Sequence, residues 1–365
     1  MSETTTPSQP LDSSEELRAF VERIDERVQR YLGPRADGVE QRDHLRHVAD
    51  RTRWLYYSEL QRDNPGVSVI ISAHEDSLID ACVYSHDIGK WIPRDELKAL
   101  LPEGLTPQAP VFQQLRLTLN QIDLFALGVG RRLELEIDGY TPEYDSAHHL
   151  VSAYILVADP TLGFDQLDPA DQERLMNMIV GHQFGSYFKE SLLNLSMDDA
   201  SVTTGMLVDV SRLERVVGDL LASSFHDADI SDLLFVGSLE RRPNREEIFH
   251  TGGLIKILMI NFLNLIYGAP HGPTNLTECL RSCQGTVNNA CKEFLTATAS
   301  RHGNRWRKEA RRFLGLFKEK TASEKIEAAL HDESLPPAER LSAVRMVTYM
   351  HARSFLKGQG REEEA

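Results

Sequence analysis

His86 and Asp87 stand side by side at the end of an apolar segment. Leu78, Ile79, Cys82 and Val83 recur at helical spacing, and His86 falls on the same face. The pattern predicts an imidazole and a carboxylate at the buried end of a helix, with Gly89 as its stop signal. Burying such a pair without partners is costly. Metal coordination removes that cost, because imidazole and carboxylate are standard ligands for zinc, iron or manganese.

Further polar groups fall on apolar helix faces. His44 shares a face with Val48 and Leu55, His148 with Val151, Ser152 and Ile155, and His182 with Leu175, Met178 and Ile179. The segment His226-Asp227-Ala228-Asp229 adds carboxylates, and periodicity alone does not choose between Asp227 and Asp229. A lone histidine on an apolar face is ordinarily a satisfied core group. Several such helices around one His-Asp pair are a stronger signal, since a bundle brings inner faces together.

The elements that would position these groups are nearly all helical. Ser13-Ser14-Glu15-Glu16 reads as a capping box opening a helix to about residue 32. A second helix starts near Val39 and ends at Asn64-Pro65-Gly66. Residues 67–71 form a short strand-like run, and the His86 helix follows. A short helix is expected over 94–101 and a long amphipathic one within 107–143. Others are expected at 143–157, after Asp168-Pro169, and over 205–234. The polar break Arg241-Arg242-Pro243-Asn244 is the candidate boundary, with helices expected beyond it at 245–267, 275–299, 304–330 and 337–357. The fold class is all-α. Residues 1–12 are expected to be disordered, 13–240 to form a catalytic bundle, and 241–365 a C-terminal helical region with no role legible in its sequence.

Composition narrows the partners. The chain has 365 residues, a hydrophobic fraction of 41% and a formal charge of −15, which argues against broad nucleic-acid or anionic-membrane binding. Its cysteines, Cys82, Cys279, Cys283 and Cys291, include no Cys-x-x-Cys pair and suggest neither a disulfide framework nor a zinc ribbon. An iron–sulfur site fits no standard spacing, and small buried side chains are the simpler reading. The N-terminus has neither a basic start nor an apolar stretch, so no secretory signal is read there. The apolar run 254–267 contains Lys256, Asn261 and Asn264, and is too short to span a bilayer. A soluble, cytoplasmic protein is expected.

The order His…His-Asp…His…His…Asp resembles the HD-domain metal-dependent phosphohydrolase superfamily. His86-Asp87-Ile88-Gly89-Lys90 is similar to the signature that names the family. His44, followed four residues on by Val48-Ala49, resembles the first ligand segment and is preferred to His47. His148, with Ser152-Ala153 four residues later, resembles the third, and His182 with Gly185 the fourth. Ala228-Asp229 resembles the closing segment, which favours Asp229 over Asp227. The resemblance covers about residues 35–235.

It implies an HD-type helical bundle with one or two divalent transition metals, iron or manganese first, zinc or magnesium as alternatives. His44, His86, Asp87 and Asp229 would hold one metal, and His148 and His182, with Asp87 as a bridge, the second. The implied reaction is hydrolysis of a nucleotide or related phosphoester or phosphoanhydride by a metal-activated hydroxide. Asp87 would orient the nucleophile and Lys90 would contact a phosphate oxygen; His149, beside His148 in sequence, reads as a substrate-binding group, with support of a ligand, proton donation to the leaving group or a solvated position as alternatives.

Three departures narrow the substrate. His182-Gln183-Phe184-Gly185-Ser186-Tyr187 lacks the Gly-Tyr-Pro motif of the cyclic di-GMP subgroup, and Gly139-Tyr140-Thr141-Pro142 precedes the third ligand. Gly-Lys after His-Asp replaces the acidic pair of the stringent-response hydrolases. Small HD proteins that cleave nucleotide or dinucleoside polyphosphate bonds are nearer.

The same ligand order would also serve a non-catalytic sensor or scaffold with a structural metal, or a di-iron oxygenase. The basic run Arg301, Arg305, Arg307, Lys308, Arg311, Arg312, Lys318 and Lys320, interleaved with Trp306, Phe313 and Phe317, reads either as an RNA or polyphosphate surface or as the solvated face of an amphipathic helix. A homo-oligomer through the C-terminal helices is a further expectation.

Overall fold

Helix α1 (Ser13–Leu32) keeps Leu17, Phe20, Ile24, Val28 and Leu32 in one buried stripe and lays it against α3 (Ala73–His86). The computed structural model describes residues 13–101, 109–117, 119–134, 147–182, 210–241, 247–268, 272–290 and 294–363. The architecture is all-α, as the sequence predicts.

Between α1 and α3 runs α2 (Gly38–Asp63), which buries His44, Leu45, Val48, Thr52 and Leu55. A capping box opens α3: Ser72 Oγ accepts from the Glu75 amide at 3.1 Å, while the Ser72 amide donates to Glu75 Oε2 at 3.0 Å. The helix ends at His86, and Asp87 turns the chain into the four-residue α4 (Ile88–Trp91). Helices α5 (Arg94–Leu100), α6 (Pro110–Gln114) and α7 (Leu119–Glu134) lead to α8 (His148–Ala158), whose first nine residues are all buried. Then come α9 (Pro169–Gly181), α10 (Val210–Gly218) and α11 (Leu220–Asp232). α11 lies along α2, and α9 packs on α3, α8 and α11.

A hairpin of β1 (Gly237–Arg241) and β2 (Glu247–Thr251) follows, antiparallel with Gly237 opposite Thr251. The C-terminal half is α12 (Gly253–Ile266), α13 (Leu276–Ala290), α14 (Ala297–Leu316), α15 (Lys320–Leu330) and α16 (Pro337–Glu363). Its buried side chains join the same hydrophobic core as the first half. Polar contacts cross the expected boundary as well: the Thr251 amide donates to Asp43 at 2.7 Å, the Thr298 amide to Glu59 at 2.7 Å, and Arg345 Nε to Glu40 at 2.7 Å. No described helix is long and apolar enough to cross a membrane.

Several local expectations need correction. The strand-like run 67–71 forms no strand, and among the described residues the one sheet is the hairpin further along the chain. Of the polar break at 241–244, Arg241 ends β1 and the other three residues lie outside the described ones. The helix expected over 205–234 is interrupted at Asp219, whose carboxylate accepts from the Leu221 and Ala222 amides and starts α11 afresh. The one expected over 304–330 is two helices, α14 and α15. On α14, Trp306, Phe313 and Phe317 are buried while Arg301, Arg305, Lys308, Arg311 and Arg312 are exposed, so the basic run is the outer face of an amphipathic helix. Cys82, Cys279 and Cys283 are buried free thiols, which burial pushes above the ordinary thiol range. Gly139-Tyr140-Thr141-Pro142, Gly185 and Cys291 lie outside the described residues.

Candidate metal centre

Helix packing brings every sequence-predicted ligand to one place. α2 delivers His44, the junction of α3 and α4 delivers His86, Asp87 and Lys90, and α8 delivers His148 and His149. His182 follows directly on α9, and Asp229 sits on α11. Gly89 does not stop the helix as the sequence predicts: α3 ends at His86 with Asp87 as its cap, and Gly89 lies inside α4, where its role is a close backbone approach. A Cβ there would lie 2.5 Å from the His148 carbonyl and 2.8 Å from the Ser152 amide. The bare backbone lets the start of α8 press against the α3–α4 junction, where the Gly89 amide donates to Ser152 Oγ at 2.9 Å. That close approach sets His148 Nε2 3.1 Å from Asp87 Oδ1.

The rings are held from behind. His86 Nδ1 lies 2.7 Å from the Val83 carbonyl, and His182 Nδ1 2.6 Å from the Ile179 carbonyl. A carbonyl only accepts, so both Nδ1 atoms carry the proton, and a neutral ring then presents a bare lone pair at Nε2. His44 Nδ1 faces Asp232 Oδ2 at 2.8 Å in the same way. Carboxylate or carbonyl support behind a ring is the usual means of orienting a metal-binding histidine.

The forward-facing atoms converge. His44 Nε2 is 3.3 Å from Asp229 Oδ1, His86 Nε2 is 3.7 Å from the same oxygen, and His148 Nε2 is 3.2 Å from His182 Nε2. Ligand atoms of His44, His86 and Asp229 lie within 4.8 Å of one another, and so do those of His86, Asp87 and His182. His86 thus belongs to both trios, and His148 adjoins the second. His44 Nε2, His86 Nε2 and Asp87 Oδ1 are buried with no partner in hydrogen-bond geometry. Leaving three such atoms unsatisfied at one point is expensive, and a cation between them meets the need of all three. The donor set therefore fits a metal ion.

Electrostatics favour that fit at Asp87, Asp229 and His182, whereas His44 leans toward its protonated form and a metal there would have to displace that proton. Burial opposes ionisation of Asp87, yet His86, Lys90 and His148 together hold its carboxyl well below the usual carboxylate range. Burial works the same way on Asp229 and is outweighed by His44 and His86. Burial, reinforced by His86, pushes His182 well below the ordinary imidazole value and keeps it neutral. Burial and Lys256 push His44 down, but Asp229 and Asp232 prevail and raise it. Ionised carboxylates and neutral imidazoles are the forms that bind metals.

The two candidates for the last carboxylate separate cleanly. Asp227 accepts from the Leu295 amide at 2.8 Å, the Thr296 amide at 2.7 Å and Thr296 Oγ1 at 2.6 Å, and so anchors the start of α14. Asp229 points at His44 and His86 instead. Lys90 Nζ lies 2.9 Å from Asp87 Oδ2. His149 is buried, its ring centroid 5.8 Å from that of His148 and 6.1 Å from that of His182. Asp229 and Lys90 keep side-chain exposures of 18% and 14%, which marks the side open to solvent.

Two residues were missed in the sequence. Asp232 was findable as the carboxylate one turn beyond Asp229, and Lys256 as the one cation in the apolar run 254–267. Lys256 reaches the cluster because Gly253 lets α12 begin against the end of α11: a Cβ at Gly253 would lie 2.6 Å from Asp232 Oδ2. The chain matches no protein-family model, no curated protein and no solved structure.

Proposed function

We propose that this protein is a metal-dependent phosphohydrolase of the HD type, acting on a nucleotide or a related phosphoester or phosphoanhydride. The observation that carries the reading is the convergence of His86 Nε2 and His182 Nε2, each ring held through Nδ1 by a carbonyl, with Asp87 and Asp229, edged by the ammonium group of Lys90. A scaffold metal would need the ligands, but not a cation held at the ligand cluster on its solvent-open side.

Divalent metals in this site, iron or manganese by ligand type, would activate a water and offset charge on the phosphoryl group. The chain's own residues do the rest. Asp87, ionised and fixed by Lys90, orients the attacking oxygen, and its buried position excludes bulk water from that side. Lys90 offers a positive charge to a phosphate oxygen as negative charge builds there. Asp232 holds His44 in one orientation. His149, in ring contact with His148 and His182, is assigned a contact with the substrate.

The test is elemental analysis of anaerobically purified protein, followed by a phosphate-release screen of nucleotides and dinucleotides with Mn²⁺ or Fe²⁺. One or two metals per chain and turnover of one substrate class are expected. Metal without phosphate release under any condition would defeat the hydrolase reading, and oxygen uptake by an iron-loaded form would replace it with oxidative chemistry.

A further inference from the structure

Lys256 is the least expected group at the site. It lies on α12, in the half of the chain that the resemblance does not cover, among the buried side chains of Leu254, Ile255, Leu258 and Met259. The residue is 5% exposed. Its ammonium group is directed at the cluster, with Nζ 3.9 Å from Asp87 Oδ2. That is too long for a hydrogen bond. The same oxygen is already bonded by Lys90 at 2.9 Å. As a counterion for Asp87, Lys256 is therefore redundant, and among the described residues no carboxylate lies closer to its ammonium group, an arrangement that is costly to keep in a buried place.

We infer that Lys256 is a phosphate-binding residue, brought into the site by the C-terminal half, and that it selects a dianionic terminal phosphate over a singly charged phosphodiester. The inference rests on the reading of the site as a phosphate site. The two ammonium groups approach one carboxylate oxygen, and so stand close enough together to engage two oxygens of one tetrahedral anion. The charge balance points the same way. Lys90, Lys256 and Arg51, whose charge acts on Asp232, offset Asp87, Asp229 and Asp232, so the charge of a bound divalent cation is left for the substrate to neutralise. A terminal phosphate does this with two negative charges and a diester with one. It also explains why α12 abuts α11 so tightly at Gly253, since that packing fixes where Lys256 enters.

The experiment uses the full-length protein loaded with Mn²⁺ and titrates it calorimetrically with inorganic phosphate and, separately, with dimethyl phosphate. Wild type is compared with Lys256→Met and Lys256→Arg, with metal content and Tm measured on each. Lys256→Met is expected to weaken phosphate binding about tenfold or more while keeping its metal, because a charge-assisted bond is lost. It should weaken dimethyl phosphate less, and Lys256→Arg should recover most of the loss. Where Lys256→Met fails to fold, Lys256→Gln carries the same comparison.

Equal phosphate affinity in wild type and Lys256→Met overturns the proposal, and so does a loss that follows metal content. An equal loss for both ligands overturns the charge selection. The two readings fail separately. Lys256-dependent phosphate binding without hydrolysis of any phosphate ester would sink the hydrolase and keep this site. Hydrolysis with unchanged phosphate affinity in Lys256→Met would do the reverse.

Discussion

Asp227 and Asp229 lie two residues apart on α11, yet they end in opposite situations. Asp227 is saturated: two backbone amides and a hydroxyl from the start of α14 surround it, and the His226 ring stands 3.1 Å away. Nearby, Glu59 accepts the Thr298 amide, so two carboxylates of the first half hold the same helix end. The cluster around Asp87 is built the other way. Its rings are fixed from behind and their forward atoms are left open toward one another. A saturated carboxylate holds helices together, whereas an under-satisfied cluster of mixed imidazoles and carboxylates calls for something further. Burial alone does not tell the two apart; the count of donors around each oxygen does.

The largest expected effect breaks the open cluster. His86→Ala and Asp87→Ala should lose bound metal and reduce phosphate release by roughly a thousandfold or more. Retained full metal content in either variant would remove the assignment. Asp229→Ala should follow them. Asp227→Ala should not: it should lower stability by about 2–4 kcal/mol, because several buried donors lose their acceptor. Thermal unfolding and metal content of the folded fraction check both halves. A silent Asp229→Ala beside a metal-free Asp227→Ala would invert the comparison.

The sequence made the open cluster legible for a physical reason. His44, His86, His148 and His182 sit on faces set by helical spacing with apolar neighbours, and all of them are buried. It could not separate Asp227 from Asp229, because α11 is buried on nearly every side and a helix without a wet face carries no periodicity to read. Lys256 was hidden for a related reason. Its importance depends on which end of α12 meets α11, a tertiary fact decided by the close backbone approach at Gly253. The run 67–71 shows the opposite limit: its β-branched residues favour an extended chain, but a strand also needs a neighbour.

A middle-sized effect sharpens the comparison at its edge. Among the described ligands Asp232 supports the cluster through His44 Nδ1, while its other oxygen lies 3.7 Å from His47 Nδ1. Asp232→Asn should weaken metal affinity about 10- to 100-fold with the fold intact, the usual cost of losing support behind a ligand. Competition against a metal chelator would measure it. An affinity equal to wild type would show that the His44 ring is held by packing alone.

The smallest effect tests a saturated carboxylate by pH. Asp37 accepts from Arg35 Nε at 2.8 Å, Arg35 Nη2 at 3.0 Å and Gln41 Nε2 at 2.9 Å, and is buried. Burial alone would raise its pKa, but Arg35 and Gln41 outweigh burial and hold it below the ordinary value. A depressed carboxyl contributes stability that is present in full above the unfolded value of about 3.9 and is lost as pH falls through the lower folded value. Asp37→Asn should therefore cost about 1–2 kcal/mol near neutral pH, and the gap to wild type should close in strong acid. Denaturant unfolding at a series of pH values would show it. A gap that stayed constant with pH would mean that Asp37 contributes through shape and neutral hydrogen bonds, and its saturation would then not be electrostatic.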